Sequence, residues 1–200
     1  MIAGLDRDSF KWPWLQTYTG RAFVPADPDP ELIDIRDIAI GLSRESRFNG
    51  HTQGEHPYSV AQHSVYASRV VPAEMALWGL LHDASEAYCK DLTWSVKTLL
   101  PDYKELEIGI LKAVAVKFDL PWPPPPEIKE ADNRLLATEK RDLFPPEPAP
   151  WRELPDAYDF KIEAWLHNAA LTSFLLRFYA ITGEYVPPVP EMWHPESWTD

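Results

Sequence analysis

Residues 76–92 read ALWGLLHDASEAYCKDL. A helix with so apolar a body needs burial on most of its circumference, yet this one carries His82, Asp83 and Glu86. On a helix over about 73–89, Leu77, Leu80, Leu81, Ala84 and Tyr88 share one side. Gly79, His82, Asp83 and Glu86 fall on a single stripe opposite them. Such a stripe is either a solvated face or the lining of a site, and this segment alone does not choose between the two.

The helical periodicity continues elsewhere. A first helix begins near PELIDIRDIAIGLSRE, with Ile35, Ile38, Ala39 and Leu42 at core spacing. Further helices are predicted over about 57–71, 101–118, 126–142 and 157–182. Residues 1–31, rich in proline, aspartate and aromatics, read as extended and turning chain, and SRFNGHTQGEH (46–56) as a loop. The proline clusters PWPPPPE and PPEPAPWRELP read as stiff connectors between helices. There is no internal repeat, and neither half has a core of its own. The expectation is one all-α domain over 1–200, with an irregular or short-stranded N-terminal segment. The ending PPVPEMWHPESWTD is expected to pack loosely or to touch a partner.

Two of these helices bear on the stripe. In PYSVAQHSVYASRVV, His63 lies in a row with Val60, Ala67 and Val71. In PEIKEADNRLLATEKRDLF, Asp132 sits one turn after Ile128 and one turn before Leu135 and Leu136, so it is expected on a core-facing stripe. An unpaired buried carboxylate costs too much to persist, so Asp132 requires a cation. His63, His82, Asp83 and Asp132 together suit one divalent transition metal with positions open to water or a substrate oxygen. A metal-bound water at such a position loses its proton near neutral pH.

The set, in this order, resembles the metal signature of HD-domain phosphohydrolases. HDASEAYCKDLTWSVK (82–97) is similar to the segment of bacterial HD-type 5′-deoxyribonucleotidases, and SVAQHS to their first-histidine helix. Phage HD-type dATP triphosphohydrolases share the likeness, which covers about residues 44–142. The resemblance implies an HD-domain helical fold and metal binding by His63, His82, Asp83 and Asp132. It implies a catalytic role for Glu86 beside the metal-bound water, and for Asp91 a part in positioning water or substrate. Arg47 and Lys97 would contact phosphate. Phe48 stands where the family carries a tryptophan next to the sugar, which removes the basis for a deoxyribose preference. His51, in the same loop, could donate a proton or touch phosphate, whereas His56 reads as an ordinary loop residue.

Local alternatives accompany these roles. Glu86 could accept a hydrogen bond behind the metal, Asp91 could cap LTWSVK, and Lys97 could lie on the surface. Binuclear HD enzymes carry further histidines between the HD pair and the last aspartate; none occurs here between Asp83 and Asp132, so the resemblance implies a mononuclear centre holding Co, Mn, Zn, Ni or Fe.

Composition sets the outer limits. A net charge of −12 opposes binding to a nucleic acid polymer, whose affinity comes from basic side chains on phosphates. It leaves room for a single nucleotide. No apolar run is long enough to span a bilayer. The start MIAGLDRDSFKWPW lacks a basic-then-apolar leader, and Cys89 is the single cysteine, so a cytoplasmic location is expected. The 157–182 helix has more apolar surface than one face needs, so a homodimer is an expected arrangement.

The reading favoured by these observations is metal-dependent hydrolysis of 5′-(deoxy)nucleoside monophosphates. Triphosphate hydrolysis, alarmone or cyclic-nucleotide hydrolysis, and a nucleotide-binding sensor without turnover are the alternatives. Triphosphates are disfavoured because few basic residues adjoin the motifs, the candidates being Arg44, Arg69, Lys90 and Arg134.

Overall fold

The computed structural model describes residues 13–187. The C-terminal segment, Pro187 apart, and the first twelve residues lie outside that range.

The fold is all-α with a minimal hairpin at its N-terminal end. Strand β1 (Leu15–Gln16) pairs antiparallel with β2 (Ala22–Phe23), in the register Leu15 to Phe23 and Gln16 to Ala22. Helix α1 (Ile35–Arg44) starts at Asp34, whose side chain accepts from the Arg36 amide and so satisfies one of the free N–H groups of the first turn. Its buried face holds Ile35, Ile38, Ala39 and Leu42, as their spacing predicts. Asp37, also buried, accepts from the Thr19 amide at 2.7 Å and its hydroxyl at 2.8 Å, which ties the hairpin to α1.

Helix α2 (Val60–Val70) is capped by Ser59, which accepts from the Gln62 amide at 3.2 Å. Then follow α3 (Ala76–Leu81), α4 (Glu86–Cys89), α5 (Trp94–Lys97), α6 (Pro101–Lys117) and α7 (Pro126–Leu143). Both α6 and α7 start on proline, whose missing N–H costs nothing in a first turn. The last helix, α8 (His167–Thr182), ends on Gly183, left-handed at φ 74°. Helix α2 is central, packing on α1, α3, α7 and α8. The main core runs from Phe23 and the α1 face through Val60, Val65, Leu80 and Leu81 to Ile110, Phe174 and Phe178.

Two spans differ from the periodicity. The helix expected over 73–89 is split into α3 and α4 by a turn at residues 82–85. The helix expected over 157–182 begins only at His167. Its first ten residues run as irregular chain because side chains of α2 and α7 capture their backbone. Gln62 accepts from the Trp165 amide and donates to the Glu163 carbonyl, both at short range (2.8 and 2.7 Å). Arg141 donates to the carbonyls of Tyr158 and Phe160, and Asp142 accepts from the Ile162 amide at 2.8 Å. Among the described residues no helix is long and apolar enough to cross a membrane.

The approach of α3 to α2 depends on Gly79. A Cβ built there would lie 2.8 Å from Ser68 Cα and 2.9 Å from the Ala67 carbonyl oxygen, both backbone atoms that cannot swing aside. Gly79→Ala would gain about 1 kcal/mol of helix propensity. Overpacking against backbone costs about 1–3 kcal/mol and wins. We expect a net loss of stability in urea and a Tm lower by a few degrees; an unchanged Tm would show that α3 and α2 can separate freely.

Candidate functional site

Each side chain of the site is placed by a local device. His63 lies one turn into α2, fully buried. His82 and Asp83 occupy the break between α3 and α4. There the hydrogen bonds tighten to three-residue spacing: Ala84 to Leu81, Glu86 to Asp83, Ala87 to Ala84 and Tyr88 to Ser85. Such a tightened stretch inside a helix often marks a functional position. It leaves Glu86 at the head of α4, 7% exposed.

Arg47 and Phe48 lie on a short 3-10 turn, Arg47–Gly50, pinned by the Ser46–Ser59 bridge and by the Arg47 amide on the Tyr58 carbonyl. Phe48 and Asn49 are both left-handed there, at φ 56° and 53°. That conformation costs a residue with a Cβ about 1–2 kcal/mol.

The ring nitrogens define the centre. His63 Nε2 and His82 Nε2 face each other at 3.1 Å. The far nitrogen of each ring is already engaged: His82 Nδ1 donates to the Gly79 carbonyl at 2.8 Å, and His63 Nδ1 bonds the Glu139 carboxylate at 2.6 Å. A carbonyl and a carboxylate only accept, so in neutral rings both Nε2 atoms present lone pairs to the same point. Two lone pairs at that distance repel unless a cation, either a proton shared by the rings or a metal ion, lies between them. Asp132 Oδ1 is 3.3 Å from His63 Nε2, and Asp83 Oδ2 is 3.3 Å from His82 Nε2 and 3.6 Å from His63 Nε2. His63, His82 and Asp132 offer ligand atoms within 4.8 Å of one another. Two imidazoles with carboxylates, the histidines oriented from behind, fit a divalent transition metal.

Charge in the site is tightly balanced. Burial and the neighbouring Arg47 charge work against a protonated His63, but Glu139 and Asp132 outweigh them and push the ring up to about 9. Burial likewise opposes ionisation of Asp83 and Asp132, yet the neighbouring histidines, with Arg47 beside Asp83 and Lys129 beside Asp132, hold both carboxyls below the usual range. Glu86 goes the other way: burial, then Asp83 and Asp91, push it well above the ordinary carboxyl range. Its Oε2 has no hydrogen-bond partner in the protein although it is buried.

The environment of Asp132 differs from the expected core position. Its side chain is 20% exposed and touches Lys129 Nζ at 2.7 Å, so protein cations offset part of its charge. The carboxylate that is fully buried is Glu139, which sequence reasoning missed. Glu139 holds His63 on one oxygen and Arg47 Nη2 at 3.2 Å on the other. Arg47 also reaches Asp83 at 3.3 Å, and it is buried rather than free in a loop. The signal was present: Glu139 lies seven residues after Asp132, on the same face of α7.

Arg47, Phe48, His51, Asp83, Glu86, Asp91, Lys97 and Asp132 all line one cavity of about 650 Å³. His63 and His82 do not line it themselves but contact the lining residues Asp132 and Asp83, each at 3.3 Å. His51 is at the exposed rim. Lys97 is held by Glu107 at 2.7 Å and lies 3.8 Å from Glu86. Asp91 does not cap α5, whose N-cap is Thr93 without a side-chain bond. Among the lining residues without a functional signal in the sequence are Lys129, Phe144, Trp151 and Arg152. The last three belong to the second proline connector or its entry, which folds back over the site. Of the basic candidates Arg44, Arg69, Lys90 and Arg134, none lines the cavity. Lys90 pairs with Glu45, and Arg134 lies over the Tyr158 ring.

Over 130 residues the chain is 45% identical to the uncharacterized protein YfdR of Escherichia coli K12, a match covering 65% of this chain and 72% of that one. The chain belongs to the YfdR family. An uncharacterized protein of Rhodobacter capsulatus is 38% identical over 129 residues, 60% of this chain and 66% of its own length. No family model matches the chain.

Removing Glu139 would strand two buried cationic groups. Breaking a buried pair by deleting one partner costs about 3–5 kcal/mol. Glu139→Ala should therefore unfold at much lower urea concentration, with Glu139→Gln intermediate. A loss below about 1 kcal/mol for the alanine variant would show that Arg47 and His63 find other partners.

Proposed function

We propose that this protein is a divalent-metal-dependent phosphohydrolase acting on nucleotides, with 5′-(deoxy)nucleoside monophosphates as its substrates. The observation that carries the reading is the convergence of His63 Nε2 and His82 Nε2 at 3.1 Å, each ring held from behind, with Asp83 and Asp132 beside them. The order of these residues resembles the HD-domain phosphohydrolases, which adds to it. A bound metal would lower the pKa of a coordinated water and polarise a phosphoryl oxygen.

The chain's own residues supply the remainder. Glu86, buried with a free Oε2 at the cavity wall, accepts the proton of the attacking water. Asp91 orients that water or the substrate. Arg47, fixed by Asp83 and Glu139, presents its remaining N–H groups to a phosphoryl oxygen without first having to be ordered. Lys97 offsets charge on the same group. His51 contacts the substrate at the rim.

The lining balances charge: Arg47, Lys97, Lys129 and Arg152 face Asp83, Glu86, Asp91 and Asp132. The net positive charge then comes from the metal alone, which suits a dianionic monophosphate better than a triphosphate. A second reading, triphosphate hydrolysis, draws support from Lys129 and Arg152, which put two more cations at the cavity than the motifs suggest.

Protein purified without chelator should carry about one transition metal per chain, and Asp132→Ala should lose it. Glu86→Gln should retain the metal while turnover of dAMP falls by roughly 100-fold or more. Chromatography of products from dAMP, AMP and dATP separates the two readings: phosphate from the monophosphates supports the first, tripolyphosphate from dATP alone the second. Metal-free protein, or a Glu86→Gln variant as fast as the parent, would sink the mechanism.

A further inference from the structure

The cavity has an apolar wall that phosphate chemistry does not use. Phe48 and Phe144 meet edge to face at 5.0 Å between centroids, and Phe144 meets Trp151 likewise at 5.3 Å. All three rings line the cavity, and none is fully buried. The wall starts at Arg47, whose guanidinium carbon is 5.3 Å from the Phe48 centroid, and leads away from it.

We propose that Phe48, Phe144 and Trp151 form a nucleobase subsite, so that the protein selects nucleoside phosphates over phosphomonoesters without a base. The inference rests on the phosphohydrolase reading for the position of the phosphate, and it adds what recognises the other end of the substrate.

Three observations support a ligand surface over simple core filling. First, Trp151 stands apart from the small apolar cluster of Tyr58, Leu143 and Ile162, at whose edge Phe48 and Phe144 pack. Its ring meets Phe144 and, at 5.5 Å, Lys140 Nζ, and it lines both this cavity and a second one along the connector. Secondly, the connector 145–150, PPEPAP, is built to hold it there. Its prolines restrict the backbone, Lys140 pairs with Glu147, and Glu147 accepts from the Trp151 amide. Thirdly, Phe48 is left-handed, a conformation that bulky residues avoid and that core filling does not call for. A cavity of about 650 Å³ also falls in the range that encloses a whole small molecule, well beyond a phosphate group. Flat rings with partly open faces recognise a planar base by stacking, whatever its hydrogen-bonding edge. The wall therefore favours nucleotides as a class without selecting one base.

The test is calorimetric titration of Mn²⁺-loaded Glu86→Gln protein, which should hold substrate without consuming it. The ligands are dAMP and deoxyribose 5-phosphate, which share the phosphate and sugar. We expect dAMP to bind at least roughly 10-fold more tightly, the size that base stacking supplies. Adding Trp151→Ala should erase that gap and leave deoxyribose 5-phosphate unchanged, and Trp151→Phe should restore part of it. Equal affinities before the change would overturn the subsite. So would a gap that survives Trp151→Ala but disappears in Trp94→Ala, since Trp94 lines the same cavity and is 72% exposed. Deoxyribose 5-phosphate binding with no advantage for dAMP would refute the base subsite alone. Failure of both ligands to bind would refute the phosphate site, and the subsite with it.

Discussion

The arrangement depends on one buried carboxylate. Glu139 is buried with no exposure, and an ion there is tolerable only when each oxygen is paired. One oxygen takes His63 Nδ1 and the other takes Arg47 Nη2. That single side chain fixes the tautomer of a histidine on α2, the position of an arginine on the 47–50 turn, and the rotation of α7. Asp132, two turns earlier on α7, is thereby aimed at the same point as His63 and His82. The strain of Phe48 and Asn49 is sustained because Arg47 is held in place on both sides of it.

The helices come close enough for this only where side chains are missing. Gly79 lets α3 lie against the backbone of α2, which brings His82 within 3.1 Å of His63. Gly41 does the same for α1, where a Cβ would meet Ala87 Cβ at 2.8 Å. The polar stripe of 79–86 therefore faces neighbouring helices and the cavity, and its tightened turn at 82–85 turns Glu86 inward. A helix running straight through would keep ordinary four-residue hydrogen bonds and would not crowd two imidazoles and two carboxylates together.

In the proposed reading, the protein separates chemistry from recognition around that centre. Carboxylates, imidazoles and Arg47 gather where α2, α7 and the α3–α4 break converge. The aromatic wall belongs instead to the 47–50 turn, the end of α7 and the connector after it. In the proposed reading the first group acts on phosphate and the second on the rest of the substrate. Either could then vary without dismantling the other.

What the sequence determined by itself was set by forces acting over a few residues. The 3.6-residue period marked α1, α2, α6 and α7, and prolines placed the starts of α6 and α7. The same period put His63 among apolar neighbours and His82, Asp83 and Glu86 on one stripe, and the structure brings all of them to one place. Tertiary structure decided what depends on partners distant in the chain. Glu139 and Arg47 are 92 residues apart, so the seven-residue spacing from Asp132 gives the face of Glu139 but not the buried partners that pair it. The missing first turns of α8 follow from Gln62, Arg141 and Asp142 capturing backbone groups that a helix would otherwise pair internally. The wall of Phe144 and Trp151 exists because a stiff proline segment folds back across the cavity, and a run of prolines fixes stiffness but not direction. Periodicity and proline chemistry are legible in one dimension; the pairing of buried charge is not, because it depends on which surfaces the packed helices bring together.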